Sequence, residues 1–403
     1  PDAMQVFLHG TNRNSFLRKA AFHPNATRFP SLPEIGTHEL RMIRENSDPI
    51  HRAAYDRVVE ADQEDFGRTG ELDLYQQLQE GEVGVSALAE YHRYATYVHA
   101  DGDRLGGTIA GLRNEEDLHA FSERLGRFAH QANAQLAGGR FTQGEPDQPG
   151  LGAVPVYIGG DDLLLLSPVL TRDEKGDVVT VFDLVDRIGR LFQTQFKDLD
   201  GPSPTLSFGI GIHYVKHPMR EANESARRLL AAVKTPRHKL RDRLHLEVRK
   251  HSGGTFRAVY FKGDAVKGPF PGAKENLSPW GMTLELLNQH ARPLQGRKGG
   301  ERTFLNSLIA AVREQRAILQ ALNGEPVRLE AWFRNNFDEP HHHGFQQTLF
   351  QELAAYLHAG YEQARHVAEQ ELNGDVRQAQ EEFLDCLYMT LRFIQFIRGH
   401  DAP

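Results

Sequence analysis

Asp161 and Asp162 stand side by side in Val154-Pro-Val-Tyr-Ile-Gly159-Gly160-Asp161-Asp162-Leu-Leu-Leu-Leu166. Two apolar runs around Gly-Gly-Asp-Asp read as a β-hairpin, with Gly159 and Gly160 supplying the φ > 0 positions that a tight turn needs. Carboxylates at a hairpin tip are badly placed to pack a core and well placed to hold a divalent metal. A second acidic turn closes the β-rich run Tyr94-Ala-Thr-Tyr-Val-His-Ala-Asp101-Gly102-Asp103-Arg-Leu-Gly106-Gly107. Together the two turns predict a nucleotidyl-transfer site assembled at strand ends.

The expected ligands are Asp101, Asp161 and Asp162 around Mg²⁺ or Mn²⁺. Mg²⁺ takes oxygen ligands and keeps several waters and substrate phosphates. Two such ions lower the pKa of a ribose hydroxyl and stabilise leaving pyrophosphate, the two-metal route to a phosphodiester. Asp103 reaches the same side if the chain stays extended. Gly102, Gly106 and Gly107 form a glycine-rich turn that feeds a helix and could present N–H groups to phosphate. Lys234 is a candidate β/γ-phosphate contact, or a helix C-terminal lysine that satisfies the dipole. Ser207 and Gly209 are small enough to admit a nucleotide at close range, or to allow tight packing.

The elements that must position these residues follow the order β-α-β-β-α-β. A strand over 94–100 leads to a helix over 118–136, striped by Leu118, Phe121, Leu125, Phe128, Ala132 and Leu136. A Gly/Pro/Gln-rich loop at 138–152 precedes the hairpin. A second helix over 179–199 carries Phe182, Val185, Ile188, Phe192 and Phe196, and a strand over 205–215 closes the unit. This is the ferredoxin-like split βαβ arrangement, an α+β fold with two helices on one face of a four-stranded antiparallel sheet. It places the first strand and the hairpin's second strand in the middle, so that the two acidic turns are neighbours.

Beyond it, a helix over 221–234 leads to Leu244–Val248 and Thr255–Phe261, joined through Ser252-Gly-Gly254. After about 270 the pattern becomes helical, with amphipathic stretches over 302–322, 345–372 and 376–398; Phe304, Leu308, Val312, Leu319 and Leu322 read as the core of a helical bundle. The expected organisation is a partly helical, irregular segment over 1–90, a catalytic domain over 91–270 and a C-terminal helical domain over 271–403. No repeat or long low-complexity tract interrupts it.

Composition sets bounds. The chain has 403 residues, 39% of them hydrophobic, enough for two or three domains. The net charge of −7 argues against a protein that coats nucleic acid with its whole surface, although Lys234–Arg243, Arg292 and Arg297-Lys298 offer local basic patches. Cys386 is the single cysteine, which excludes an intrachain disulfide and a cysteine-based zinc site. No segment has transmembrane length and no signal pattern opens the chain, so a reducing, cytoplasmic setting is expected. Among the 20 histidines, His341-His-His343 reads as an exposed loop, and His400-Asp401 lies too near the C-terminus for a phosphohydrolase core.

The strand ending His99-Ala-Asp101-Gly-Asp103-Arg-Leu-Gly106, together with Tyr157-Ile-Gly159-Gly160-Asp161-Asp162, resembles the palm polymerase domain of the large subunit of type III CRISPR effector complexes, most of all the Cmr type. Ser207-Phe-Gly-Ile-Gly-Ile212, the helix Ala226–Lys234 and Leu246–Gly254 leading into Thr255–Phe261 support the match over 91–270. Phe29–Ile35 is similar to a segment preceding the family's second palm. The resemblance implies conversion of ATP into cyclic oligoadenylate when target RNA binds, with metal ligands at Asp101, Asp161 and Asp162. It also implies other effector subunits, CRISPR RNA and target RNA as partners.

The chain departs from that family in showing no N-terminal HD nuclease domain, no first palm and no zinc-binding cysteines. A diguanylate-cyclase-type enzyme is the alternative, since that class shares the fold and a Gly-Gly-Asp turn. Here the turn continues as Asp162-Leu163 rather than with the acidic-aromatic pair of those cyclases. A non-catalytic scaffold subunit is the third reading, and intact acidic residues at both turns weigh against it.

Overall fold

The computed structural model describes residues 32–45, 89–112, 114–137, 151–173, 175–198, 203–235, 238–263, 266, 268, 270–271, 277–291, 299–337 and 346–399. The chain divides into two compact units, residues 1–230 with 249–254, and residues 231–248 with 255–403. The loop at 138–150, Arg237, Arg292, Arg297-Lys298, His341–His343, His400-Asp401 and most of 1–90 lie outside the described residues.

The first unit opens with α1 (Leu32–Gly36) and α2 (His38–Glu45). It continues through β1 (Tyr94–Asp103), α3 (Leu105–Ala110), α4 (Glu115–Ala137), β2 (Val154–Gly159), β3 (Asp162–Pro168), β4 (Leu170–Arg172), β5 (Val178–Thr180), α5 (Val181–Phe196), β6 (Thr205–Tyr214) and most of α6 (Met219–Val233). Within it the strands run β2-β3-β1-β6, all antiparallel, with β3 and β1 in the middle as the split βαβ order requires.

Alternation explains why these segments are strands. Val98, Ala100, Leu163, Leu165, Phe208, Ile210 and Ile212 occupy one face by register and are fully buried. Helices α4 and α5 pair through Phe128 against Phe192, with ring centroids 4.9 Å apart, and through Phe121 against Phe196 at 5.3 Å. The expected stripe of α5 is wholly buried. In α4 the stripe begins one turn later than expected, because Leu118 is 47% exposed. Thr180 starts α5 with a reciprocal cap: its hydroxyl accepts the Asp183 N–H, and the Thr180 N–H donates to the Asp183 carboxylate at 2.8 Å.

Helices α1 and α2 are more closely built into this unit than an irregular lead-in would be. Leu32 through Leu40 are buried, and α1 packs on β1 and β3. The Glu39 carboxylate is nearly inaccessible, taking the Tyr91 hydroxyl, His92 Nε2 at 3.1 Å and Arg172 Nε at 2.8 Å. Burial pushes this carboxyl's pKa up, but the hydrogen bonds from His92 and Tyr91 and the charges of His92 and Arg172 outweigh it and hold the group below the ordinary range. His38 Nδ1 meets Thr171 Oγ1 at 2.8 Å beside it. The two-stranded ribbon β4–β5 that carries Thr171 and Arg172 was not expected from sequence.

The second unit holds β7 (Arg243–Arg249, to Val248), β8 (Thr255–Phe261), α7 (Pro279–His290), α8 (Gly299–Glu314), α9 (Arg316–Ala321), α10 (Pro326–Asn336), α11 (Gln346–Glu371) and α12 (Val376–Arg398). Helix α12 packs on β8 and α11. Tyr260 Oη lies 3.0 Å from Thr390 Oγ1, and the Arg392 guanidinium lies over Phe256. The expected single helix over 302–322 is broken at Gln315 into α8 and α9, while α7 and α10 were not foreseen. The result is an α+β chain in which the sheet-bearing segment is followed by helices. Among the described residues no helix is long and apolar enough to cross a membrane.

Candidate functional site

The hairpin expected at Gly159–Asp162 is present, and Gly159 pairs with Asp162 around a two-residue turn. Only Gly160 has positive φ, 75°, and Asp161 does not, which is the type II′ pattern rather than two left-handed glycines. A Cβ built on Gly160 would lie 3.8 Å from Leu125 Cδ1, so α4 backs the turn.

The tip reaches the end of β1. A Cβ placed on Gly102 would fall 2.7 Å from Asp161 Oδ2 and 2.8 Å from Asp161 Cβ, and against Leu105 Cδ1. Asp161 therefore lies on the bare Cα of Gly102, and a side chain at that position would push it away. Asp101 pairs with Ser207 on β6. On the other side, the β1–β3 register ends at Ala100 and Leu163, so Asp101 and Asp162 are the next step of the same ladder. Directly opposed residues share a face. Asp101 and Asp162 thus project together, with Asp162 exposed and Asp101 half-buried.

Asp103 takes a different position. It is 2% exposed, and its Oδ2 accepts from Ser207 Oγ at 2.8 Å and Thr205 Oγ1 at 2.9 Å. These bonds tie the end of β1 to the start of β6. Gly209 lies directly beneath α6, where a Cβ would meet the Leu230 N and Ala226 O atoms and come within 2.8 Å of Leu230 Cα. Gly106 and Gly107 sit exposed in α3, and a Cβ on either would meet nothing within 4 Å. Arg104, at φ 65°, makes the left-handed turn between β1 and α3. Lys234 follows α6 in the second unit, its N–H bonded to Ala231 O.

Part of the basic stretch after α6 is already engaged within the second unit. Arg243 is buried and donates to Glu371 Oε2 at 2.6 Å, with His238 Nδ1 at 3.2 Å from the same oxygen and the Leu240 N–H on Oε1. Its guanidinium also covers Phe261. Arg243 is thus a buried ion-pair partner, a role that a count of basic residues does not reveal.

The donors at the strand ends fit a hard divalent cation, since all are carboxylate oxygens and the Gly102 cradle fixes one of them. Among the described residues, no group of three or more His, Cys, Asp or Glu is drawn together as a metal-ligating cluster. Mg²⁺ needs only one or two carboxylates when waters and substrate phosphates complete its octahedron. Sequence reasoning missed Thr205, which shares Asp103 with Ser207, and the pair His99 Nε2–Asn223 Oδ1 at 2.9 Å, which fastens α6 to β1 beside Asp101.

A β2-β3-β1-β6 sheet with an acidic β1 end against a Gly-Gly-Asp-Asp hairpin defines a palm domain. Residues 94–245 match the family model of the second palm domain of Cas10/Cmr2. Similar solved structures include the Csm1–Csm4 cassette in complex with cA3 (19% identity, 55% of this chain and 28% of that one, TM-score 0.33). Csm1 in T. onnurineus gives 15% identity, 78% and 40% coverage and TM-score 0.34. The Csm1–Csm4 cassette in complex with AMPPNP gives 17%, 72% and 36%, and 0.35. The chain thus spans 28–40% of the length of these three structures. No curated protein sequence matches the chain.

Proposed function

We propose that the palm segment is a metal-dependent nucleotidyltransferase that joins ATP into cyclic oligoadenylate, as the large subunit of a type III CRISPR effector, of the Cmr type by its motifs, gated by target RNA. The observation that carries this reading is the seating of Asp161 on Gly102, which joins the two acidic turns at one place. In the reaction a ribose hydroxyl oxygen bonds to the α-phosphorus of a second nucleotide. The α–β phosphoanhydride bond breaks, pyrophosphate leaves with the electron pair, and the hydroxyl proton passes to solvent. Repetition and a final intramolecular attack close the ring.

Asp101, Asp161 and Asp162 would hold Mg²⁺ or Mn²⁺, which supplies hydroxyl activation and charge neutralisation at the phosphates. The chain's own part is positioning. The type II′ turn sets Asp161 against Gly102 and Asp162 on the face of Asp101, both from one hairpin tip. Asp103, Thr205 and Ser207 lock the β1–β6 end that presents Asp101. Gly102, with Gly106 and Gly107 exposed in α3, supplies the proposed phosphate contacts, while Gly159 and Gly160 shape the tip and Ser207, bonded to Asp103, stands beside it.

The test is incubation of the chain with ATP or GTP and Mg²⁺ or Mn²⁺, with and without the effector subunits and a guide–target RNA pair, followed by product mass analysis. Cyclic oligoadenylate made from ATP and stimulated by target RNA supports the proposal. A product from GTP alone points to a dinucleotide cyclase, and no product under any condition points to a scaffold.

A further inference from the structure

One exposed aromatic side chain lies on the carboxylate face of the palm. Tyr157 is 51% exposed on β2. It pairs with Leu164, Gly159 pairs with Asp162, and His99 pairs with both Leu164 and Gly209. Tyr157, Leu164, His99, Asp162 and Asp101 therefore share one face of the sheet. Tyr157 and Asp162 are diagonal neighbours across the β2–β3 ladder, a spacing of about 7–8 Å that an aromatic side chain can bridge.

The ring's direction is built in. A Cβ on Gly159 would strike the Tyr157 hydroxyl and Cζ and fall 2.8 Å from its Cε1. The phenol consequently lies along the strand over Gly159, towards the hairpin tip and Asp162. On the far side of the same face, α6 sits on Gly209, and Asn223 holds His99 at 2.9 Å. This leaves a shallow floor of half-buried Leu164 and His99 between an aromatic ring at one edge and a helix at the other, with carboxylates at its end.

We propose that Tyr157 is the stacking platform for the purine base of the nucleotide whose phosphates are held at the Asp101–Asp162 end. The inference rests on the nucleotidyltransferase reading and adds the place of the base to it. A ribose links base to phosphates across the distance that separates the Tyr157 ring from the hairpin tip. Stacking on an aromatic face is worth about 1–3 kcal/mol per base by alanine substitution. The competing structural role, a ring that merely covers an edge-strand glycine, would stabilise the hairpin and leave base binding unchanged.

The experiment measures Mg²⁺-dependent binding of ATP and of inorganic triphosphate to the chain and to Tyr157→Ala, Tyr157→Phe and Tyr157→Trp. Tyr157→Ala should weaken ATP about tenfold or more and leave triphosphate within twofold, because triphosphate has no base to stack. Tyr157→Phe should match the parent, and the indole of Tyr157→Trp should be quenched by ATP and not by triphosphate. Equal weakening of both ligands by Tyr157→Ala, or an ATP affinity it leaves unchanged, overturns the stacking role. If product formation still depends on Asp161 and Asp162 in that case, the nucleotidyltransferase reading survives alone. Failure of the parent chain to bind either ligand overturns both.

Discussion

Asp161 lies on the Cα of Gly102, close enough that a methyl group there would stand 2.7 Å from its Oδ2. The contact joins residues 59 positions apart and is the point where the hairpin meets the end of β1. Gly102→Ala should displace Asp161 and lower the rate of ATP-derived product about 10²-fold, the cost of moving a catalytic group by about 1 Å. The methyl group would also meet Cδ1 of the buried Leu105, so the melting temperature is measured beside the rate. Initial rates of product formation check the loss, and parent-like activity would remove Asp161 from the site.

Gly209 tests the scaffold rather than the chemistry. Gly209→Ala presses a methyl group into the α6 backbone at Ala226 and Leu230, which cannot retreat as a side-chain tip could. A destabilisation of about 1–3 kcal/mol is expected. Hydrogen exchange at β1 and β6 amides reads it directly.

His213 gives a pH dependence with a defined sign. Burial, then the neighbouring charges of His217 and Arg249, pull its pKa from 6.5 to about 4. Its ring stacks on His217 at 4.9 Å and meets Tyr97 edge-on, and Glu221 lies 3.7 Å from His217. A folded pKa below the unfolded value means that the unfolded state takes the proton first as pH falls. Stability is then complete above pH 6.5 and decreases towards pH 4, by about 3 kcal/mol for this residue. Amide exchange in β6 across that range should show the slope, and His213→Phe should flatten it.

Glu39 should behave as a buried hub. Glu39→Ala leaves Arg172, His92 and Tyr91 facing a space without a carboxylate, at a cost of about 3–5 kcal/mol. Because its pKa is held below the ordinary carboxylate range, its contribution is present above that range and is lost as pH falls through the lowered value. Urea unfolding followed by amide exchange in β1 and β3 measures both effects.

Much of this was legible in the sequence because local signals agreed with the tertiary answer. Gly-Gly-Asp-Asp between apolar runs marked the hairpin, and the spacing of Phe182, Val185, Ile188, Phe192 and Phe196 marked α5. What stayed hidden depends on long-range partners. The burial of Asp103 follows from hydroxyls on β6 about a hundred residues away, and Arg243 is consumed by Glu371 at the end of α11. Tyr157 stands in the strand just before the Gly-Gly-Asp-Asp turn, and its alternation with Gly159 on one strand face is the readable clue.

The most direct measurement compares the mass spectrum of products from ATP and Mg²⁺ or Mn²⁺ for the chain and for Asp161→Asn/Asp162→Asn, each assembled with effector subunits and guide–target RNA. These side chains cap a surface turn, so the double variant should keep the parent's melting temperature. Cyclic oligoadenylate should fall by orders of magnitude, since removing preorganised charge at the reacting phosphate costs far more than a surface contact. A double variant that makes the same products at near-parent rate would place the chemistry elsewhere and contradict the account.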